Sequence, residues 1–348
     1  MTRNNEMSQN TVADYIPVFE TIARTPLVED AQHAFQSAQD RVNQYFNKIL
    51  IRKPANTQKA YKHDINYFSA WAQNTGSLGL AHDLTQNKYV IEDYIEFLCS
   101  PLNGFSRATV ERRIAVLSTF LAIAEWPNPL KESKLTREHY NTVLNTMDGQ
   151  QKQASALSFD LLTHLNDTFI PQDWLGLRAR LVLNLMFDGL LRASEVCNIK
   201  LSDINRNHNS IRLSRSKTDR AGRGTYRFVS DTTLSMLDEW LSETKISDGY
   251  VIRALSPKQT LLDKPASYQI IRSATKLISS ELGFIGEENL TTHSARVGAA
   301  ICMVESGEDI LSIMHAGGWK STEMVVRYTK EVAAGKHGMA NVAKLRDR

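Results

Sequence analysis

Apolar residues recur at helical spacing through most of the chain. Tyr61, Ile65, Phe68 and Ala72 fall at i, i+4, i+7 and i+11 with Trp71 widening the stripe, which predicts a helix capped by Thr57. Another is expected over residues 88–98. A third, after Ser106, sets Val110, Ile114, Leu117, Leu121 and Ala124 on one face and leaves Arg107, Arg112 and Arg113 to solvent or a partner. Tyr140, Val143, Leu144 and Met147 mark one more. From residue 158 the pattern is helical again to 187. It then gives way to IRLSRS and TYRFVS, two strand-like segments joined by the basic turn KTDRAGRG. Helical spacing resumes over 234–241, over 268–282, and from 292 onward.

These patterns predict a mainly α fold in two domains, with a small antiparallel sheet in the second. Residues 1–34, with Pro17 and Pro26 and no sustained period, read as a flexible arm. Residues 35–150 form a helical domain, the polar stretch at 151–157 a linker, and residues 158–348 the second domain. A length of 348 residues suits two such cores.

Composition narrows the class without naming it. A hydrophobic fraction of 42% and a charged fraction of 23% are those of a soluble globular protein. No apolar run is long enough for a membrane helix, and the start lacks the order of a secretory signal, so a cytoplasmic protein is expected. Cys99, Cys197 and Cys302 have no metal or redox spacing and read as buried small residues. A net charge of +3 says little about partners, but its distribution says more. Arg206, Arg212, Arg215, Lys217, Arg220, Arg223 and Arg227 face one acid, Asp219, in a stretch that can follow a phosphate backbone.

The candidate chemistry lies toward the C-terminus. In LTTHSARVGAA, Thr292 is placed to cap a helix, with His293 and Arg296 at i and i+3 in its first turn. A helix N-terminus with a histidine and an arginine suits an anion. A structural histidine beside a surface arginine would give the same spacing. Tyr328, three after Val325 and four after Met324, is by periodicity a core aromatic. Arg192 and Glu195 at i and i+3 could be an ordinary ion pair. His315 has no carboxylate cluster around it, and neither a metal nor a cofactor is expected.

Taken together, LLRASEV around Arg192, HSARVGAA from His293, and AGGW followed nine residues later by Tyr328 resemble the catalytic boxes of the tyrosine recombinases, most closely the Cre-like branch of this phage integrase family. The resemblance is strong over 180–348 and weaker before it. It implies a two-domain clamp around duplex DNA, with Arg192, Lys217, His293, Arg296, Trp319 and Tyr328 as the active site and Glu195 in support. By this resemblance the chain is a site-specific recombinase that cleaves DNA through a 3′-phosphotyrosine on Tyr328 and needs no energy cofactor. The arginines would clamp the non-bridging oxygens of the phosphate. Lys217 would protonate the leaving 5′-oxygen and His293 would serve as base. Trp319 stands where many members carry a second histidine, and its indole donates a hydrogen bond but moves no proton.

Lys59, Lys62, Arg107, Arg112, Arg113, Arg215, Arg220 and Arg272 are the candidate DNA contacts, each of which a solvated helix face or basic turn would also explain. Met339, Val342 and Leu345 give the last residues an apolar face, which the resemblance reads as a helix docked on a neighbouring protomer in a homotetramer. A type IB topoisomerase-like enzyme, or a DNA-binding protein that has lost catalysis, are the alternatives.

Overall fold

The computed structural model describes residues 29–149, 153–214, 224–258, 260–284 and 289–334. The chain divides into two compact units, Met1–Gln151 and Lys152–Arg348, each with its own hydrophobic core. Among the described residues no helix is long and apolar enough to cross a membrane.

The described part of the first unit is helical: α1 (Glu29–Lys48), α2 (Ala55–Thr75), α3 (Leu84–Cys99), α4 (Arg107–Ala124), α5 (Pro129–Glu132) and α6 (Lys134–Asn145). Helix α1 begins inside the expected arm and buries Ala38, Val42 and Phe46 at intervals of four. The cap of α2 is Pro54, which lacks a side-chain hydrogen bond, so Thr57 lies within the first turn instead. The predicted stripe does face inward, with Ile65, Phe68, Trp71 and Ala72 buried. Asp83, Ser106, Asn128 and Ser133 cap the next four helices by accepting from backbone N–H groups two or three residues on. The core centres on Phe68, Trp71 and Tyr94, whose rings lie 5.0 Å (Phe68–Tyr94) and 4.7 Å (Trp71–Tyr94) apart.

Arg113 departs from the sequence reading. It is 4% exposed, with its guanidinium 3.6 Å from the Tyr67 ring centroid and 4.2 Å from that of Phe105. Asp64, itself buried, lies 3.7 Å from its Nε and also pairs with Arg112. Two aromatic faces and a carboxylate together let a guanidinium leave water.

In the second unit α7 (Phe159–Thr168) and α8 (Trp174–Asp188) are separate helices where one continuous pattern was expected, because α8 starts afresh on an Asp173 cap after Pro171. Helix α8 is buried on nearly every side and forms the centre of the core. After it come the short α9 (Ala193–Val196) and the antiparallel sheet β1 (Ile204–Asn205), β2 (Ser210–Leu213) and β3 (Thr225–Phe228). Arg212 pairs with Tyr226 and Ile211 with Arg227, so Arg227 shares the inward face with Ile211.

The chain continues through α10 (Asp231–Thr244), a hairpin of β4 (Arg253–Leu255) and β5 (Leu261–Pro265), and α11 (Tyr268–Glu281). The last described segment is three helices, α12 (Ser294–Glu305), α13 (Ile310–Gly317) and α14 (Glu323–Ala334), broken at Gly307 and Gly318, whose φ values are +86° and +62°. The segment 153–157, expected as a linker, runs against α12: Leu157 N–H donates to the Ser294 carbonyl at 3.1 Å. A Cβ on Gly298 would lie 1.7 Å from the Leu157 oxygen, so only glycine admits this strand of chain.

Candidate active site

Three breaks in helical structure meet in the second unit. The first is the turn after α8, where Leu190 has φ +48° and Arg192 caps α9. Glu195, buried in that single turn, reaches back to Arg192 twice: its Oε2 accepts from the Arg192 backbone at 2.8 Å and its Oε1 from Nη1 at 2.7 Å. This doubly held pair fixes the direction of the Arg192 guanidinium, which stays partly exposed.

The second break is the start of α12. Thr292 is not the cap; its hydroxyl is buried and bonds Tyr268 Oη at 3.0 Å. His293 holds the cap position without a side-chain cap bond, and the turn is closed instead by Ser294 Oγ, which accepts from Thr291 N–H at 2.8 Å. Arg296, one turn in, is 2% exposed. Its Nη1 donates to the Leu190 carbonyl and its Nη2 to the Gly317 carbonyl at 2.6 Å. Arg296 thus ties the Arg192 turn to the third break, the end of α13.

At that end a Cβ on Gly317 would lie 2.1 Å from the Trp319 ring, while Gly318 is left-handed and closes the helix through its N–H to the His315 carbonyl at 3.2 Å. The two glycines let the chain fold Trp319 beneath Arg296, whose guanidinium carbon is 4.1 Å from the ring centroid. Tyr328 on α14 meets Trp319 edge to face at 5.9 Å and is partly exposed. Its backbone carbonyl accepts from Gln153 Nε2 at 3.3 Å. His315 is exposed on the last turn of α13.

The charges are unbalanced. Burial, and then Arg192, lower the Arg296 pKa to about 9, which leaves it a cation at neutral pH. His293, although exposed, is held below the usual imidazole value by desolvation first and then by Arg296 and Arg192, so its neutral form predominates at neutral pH. A neutral imidazole beside two guanidinium groups can accept a proton, and the surplus positive charge suits an anion with several oxygens.

Arg227, read from the sequence as one more member of the basic stretch, lies at this site instead. It is 5% exposed, and a Cβ on Gly318 would lie 2.1 Å from its Nη2. Burial lowers its pKa, Glu195 opposes that, and Arg192 adds to it, so it belongs to the same charge cluster. The strand alternation carried the signal, since Arg227 lies two before the buried Val229.

The structure therefore brings together Arg192, Glu195, His293, Arg296, Trp319 and Tyr328. Lys217, Arg215 and Arg220 lie outside the described residues. Among the candidate DNA contacts, Lys59, Arg112 and Arg272 are exposed and Lys62 partly so. Arg107 is engaged within its own unit, with Glu111 at 3.1 Å, the Leu144 carbonyl at 3.4 Å and Asn145 at 3.3 Å, and Arg113 is buried as described.

The phage integrase family model matches residues 131–334, more than half of the chain. An integrase/recombinase XerD homolog of Selenomonas ruminantium is 27% identical over 292 residues, covering 80% of this chain and 82% of its own. Recombinase cre of Escherichia phage P1 is 24% identical, covering 70% and 75%. Among solved structures, XerH site-specific recombinase bound to palindromic difH substrate superposes with a TM-score of 0.61 at 15% identity over 93% of this chain and 94% of that one. A lambda integrase dimer bound to a COC′ core site gives 0.55 at 18%, over 84% and 94%.

The chain belongs to the phage integrase family, the tyrosine recombinases. The expected closeness to the Cre-like branch is corrected to family level, because the identity to cre does not exceed that to the XerD homolog.

Proposed function

We propose that the chain cleaves DNA at a specific site with Tyr328, holds the 3′-phosphate as a phosphotyrosine, and passes it to a 5′-hydroxyl of a second site through a Holliday junction. The observation that supports this most is the seating of Arg296 on the carbonyls of Leu190 and Gly317, which sets it beside Arg192, Trp319 and Tyr328 in a site with excess positive charge. In this reading the Tyr328 oxygen bonds phosphorus as the bond to the 5′-oxygen breaks. His293 takes the phenol proton and Lys217 gives one to the leaving oxygen. Arg192 and Arg296 stabilise the charge spread over the non-bridging oxygens, Trp319 adds one hydrogen bond, and Glu195 holds Arg192 in place. Resealing reverses these steps and draws its energy from the phosphotyrosine.

Duplex DNA is the partner in this proposal, and the DNA sites in the XerH and lambda integrase structures support it. Lys59, Lys62, Arg112 and Arg272, with Arg215 and Arg220, are the proposed backbone contacts. A clamp of two domains, a tetramer built by exchange of the tail with Met339, Val342 and Leu345, and a cytoplasmic, nucleoid-bound life are extensions of the same reading; that tail lies outside the described residues.

The experiment uses a duplex site selected by the purified protein from random sequence, placed twice on one plasmid. Exchange between the sites, with Holliday junctions among the intermediates, is expected. Relaxation of supercoils at single sites without exchange would favour a topoisomerase-like enzyme, and binding without cleavage an inactive DNA-binding protein.

A further inference from the structure

We propose that Arg227 is a positioning residue for strand cleavage, which keys strand β3 to the Gly317–Gly318 turn and through that turn sets Arg296 and Trp319. The proposal rests on the reading of Arg192 and Arg296 as a phosphate clamp.

The geometry points this way on several sides. The Arg227 side chain enters from β3, the strand that leaves the basic turn, and is almost fully buried. Its Nη1 donates to the Tyr226 carbonyl at 3.0 Å, which pins the guanidinium plane to its own strand. Its Nη2 occupies the space beside the Gly318 Cα that any other residue would fill with Cβ. Among the described residues its Nε is buried without a hydrogen-bond partner. Gly189, in the Arg192 turn, closes the other side: a Cβ there would be 3.3 Å from the Arg227 Cβ.

Strand β3 is held from behind. Asp188, the last residue of α8, accepts from Ser230 N–H at 2.8 Å and from Thr233 Oγ1 at 2.6 Å, fastening the strand's exit to the helix that precedes Arg192. Arg227 therefore projects from a fixed strand onto the residue next to Gly317, whose carbonyl seats Arg296, and next to Trp319, which packs on Tyr328. A shift of that turn moves a guanidinium of the clamp and the neighbour of the nucleophile together. A misplacement of about 1 Å in such a site lowers rates by roughly 100-fold.

The test compares Arg227→Met, which keeps bulk without charge, and Arg227→Lys, which keeps charge without the fork, with the full-length parent chain. The readouts are thermal stability, affinity for the selected duplex site, and single-turnover cleavage. Cleavage is measured on the ordinary site and on one whose scissile phosphate is a neutral methylphosphonate. We expect duplex affinity within about threefold of the parent and cleavage of the phosphodiester lowered by roughly 100-fold in Arg227→Met and at least 10-fold in Arg227→Lys. The defect should shrink on the methylphosphonate, which has no charge for the clamp to meet.

Equal loss on both substrates would reduce Arg227 to packing, and cleavage within twofold of the parent in either variant would overturn the proposal. If Arg227→Met does not fold, Arg227→Lys decides the matter by the same criteria. Failure of the parent chain itself to cleave would instead remove the reading on which the proposal rests.

Discussion

Replacing Arg296 by lysine keeps a cation on α12 but removes the fork. In the native site two different nitrogens serve two carbonyls, Nη1 the Leu190 oxygen and Nη2 the Gly317 oxygen. A single ammonium on a flexible stem cannot hold both and still face a phosphate. One buried carbonyl is left unpaired, which costs about 1–3 kcal/mol of stability. The ring contact with Trp319 at 4.1 Å weakens as well. Loss of one preorganised donor to the transition state adds about 2.7–4 kcal/mol to the cleavage barrier, or roughly 100- to 1000-fold in rate. Single-turnover cleavage of the selected duplex, run beside urea melts, separates the two effects: the variant should still fold and bind DNA but cleave at least 100-fold more slowly. Cleavage within threefold of the parent would refute the argument that a planar fork, rather than charge alone, stabilises the phosphate.

Further outcomes follow from the same geometry. Gly318→Ala adds a left-handed alanine and a Cβ against Arg227, together roughly 2–5 kcal/mol of destabilisation in thermal melts, and Arg227→Met should relieve part of it; simple additivity of the two variants would contradict the packing described. Arg113→Met should destabilise the first unit by roughly 3 kcal/mol, since Asp64 keeps Arg112, and should leave the salt dependence of DNA binding unchanged. Arg112→Gln should flatten that dependence, and the reverse ranking of the two would return Arg113 to the DNA surface. Because the His293 pKa is lowered, more than half of the imidazole stays neutral at about pH 6.5, so the fall of cleavage toward acid should have its midpoint below that value. Stability shifts in the same sense: the unfolded chain takes up the proton first, so His293 contributes destabilisation as pH falls below about 6.5. A cleavage midpoint above pH 6.5 would speak against a neutral His293 as base.

Helix periodicity made most of the architecture legible, because amphipathic spacing reports which face each helix buries. The pairing of β2 with β3 was legible from two alternating segments around a basic turn. What escaped depended on partners distant in sequence. Arg113 read as facing solvent or a partner, and Arg227 as one more member of a basic stretch, because arginine counts as polar in any pattern. Their burial required Asp64, Tyr67 and Phe105 in one unit, and Glu195 with a bare Gly318 in the other.

Caps were similarly misplaced. Thr57 and Thr292 are suitable residue types, but Pro54 and His293 occupy the cap positions, and Thr292 bonds Tyr268 instead. The spacing of His293 and Arg296 is local and could be read directly. The meeting of that pair with Arg192 could not, since it runs through the Leu190 carbonyl and rests on a left-handed leucine that no spacing rule predicts.

The proposed strand cleavage turns on Tyr328 as the nucleophile. Its most direct test is mass spectrometry of the protein after reaction with a duplex site nicked to prevent religation. A 3′-phosphate adduct that survives denaturant and maps to the peptide holding Tyr328 is expected, and Tyr328→Phe should bind the same duplex and form none. An adduct that persists in Tyr328→Phe, or maps to another residue, would contradict the account.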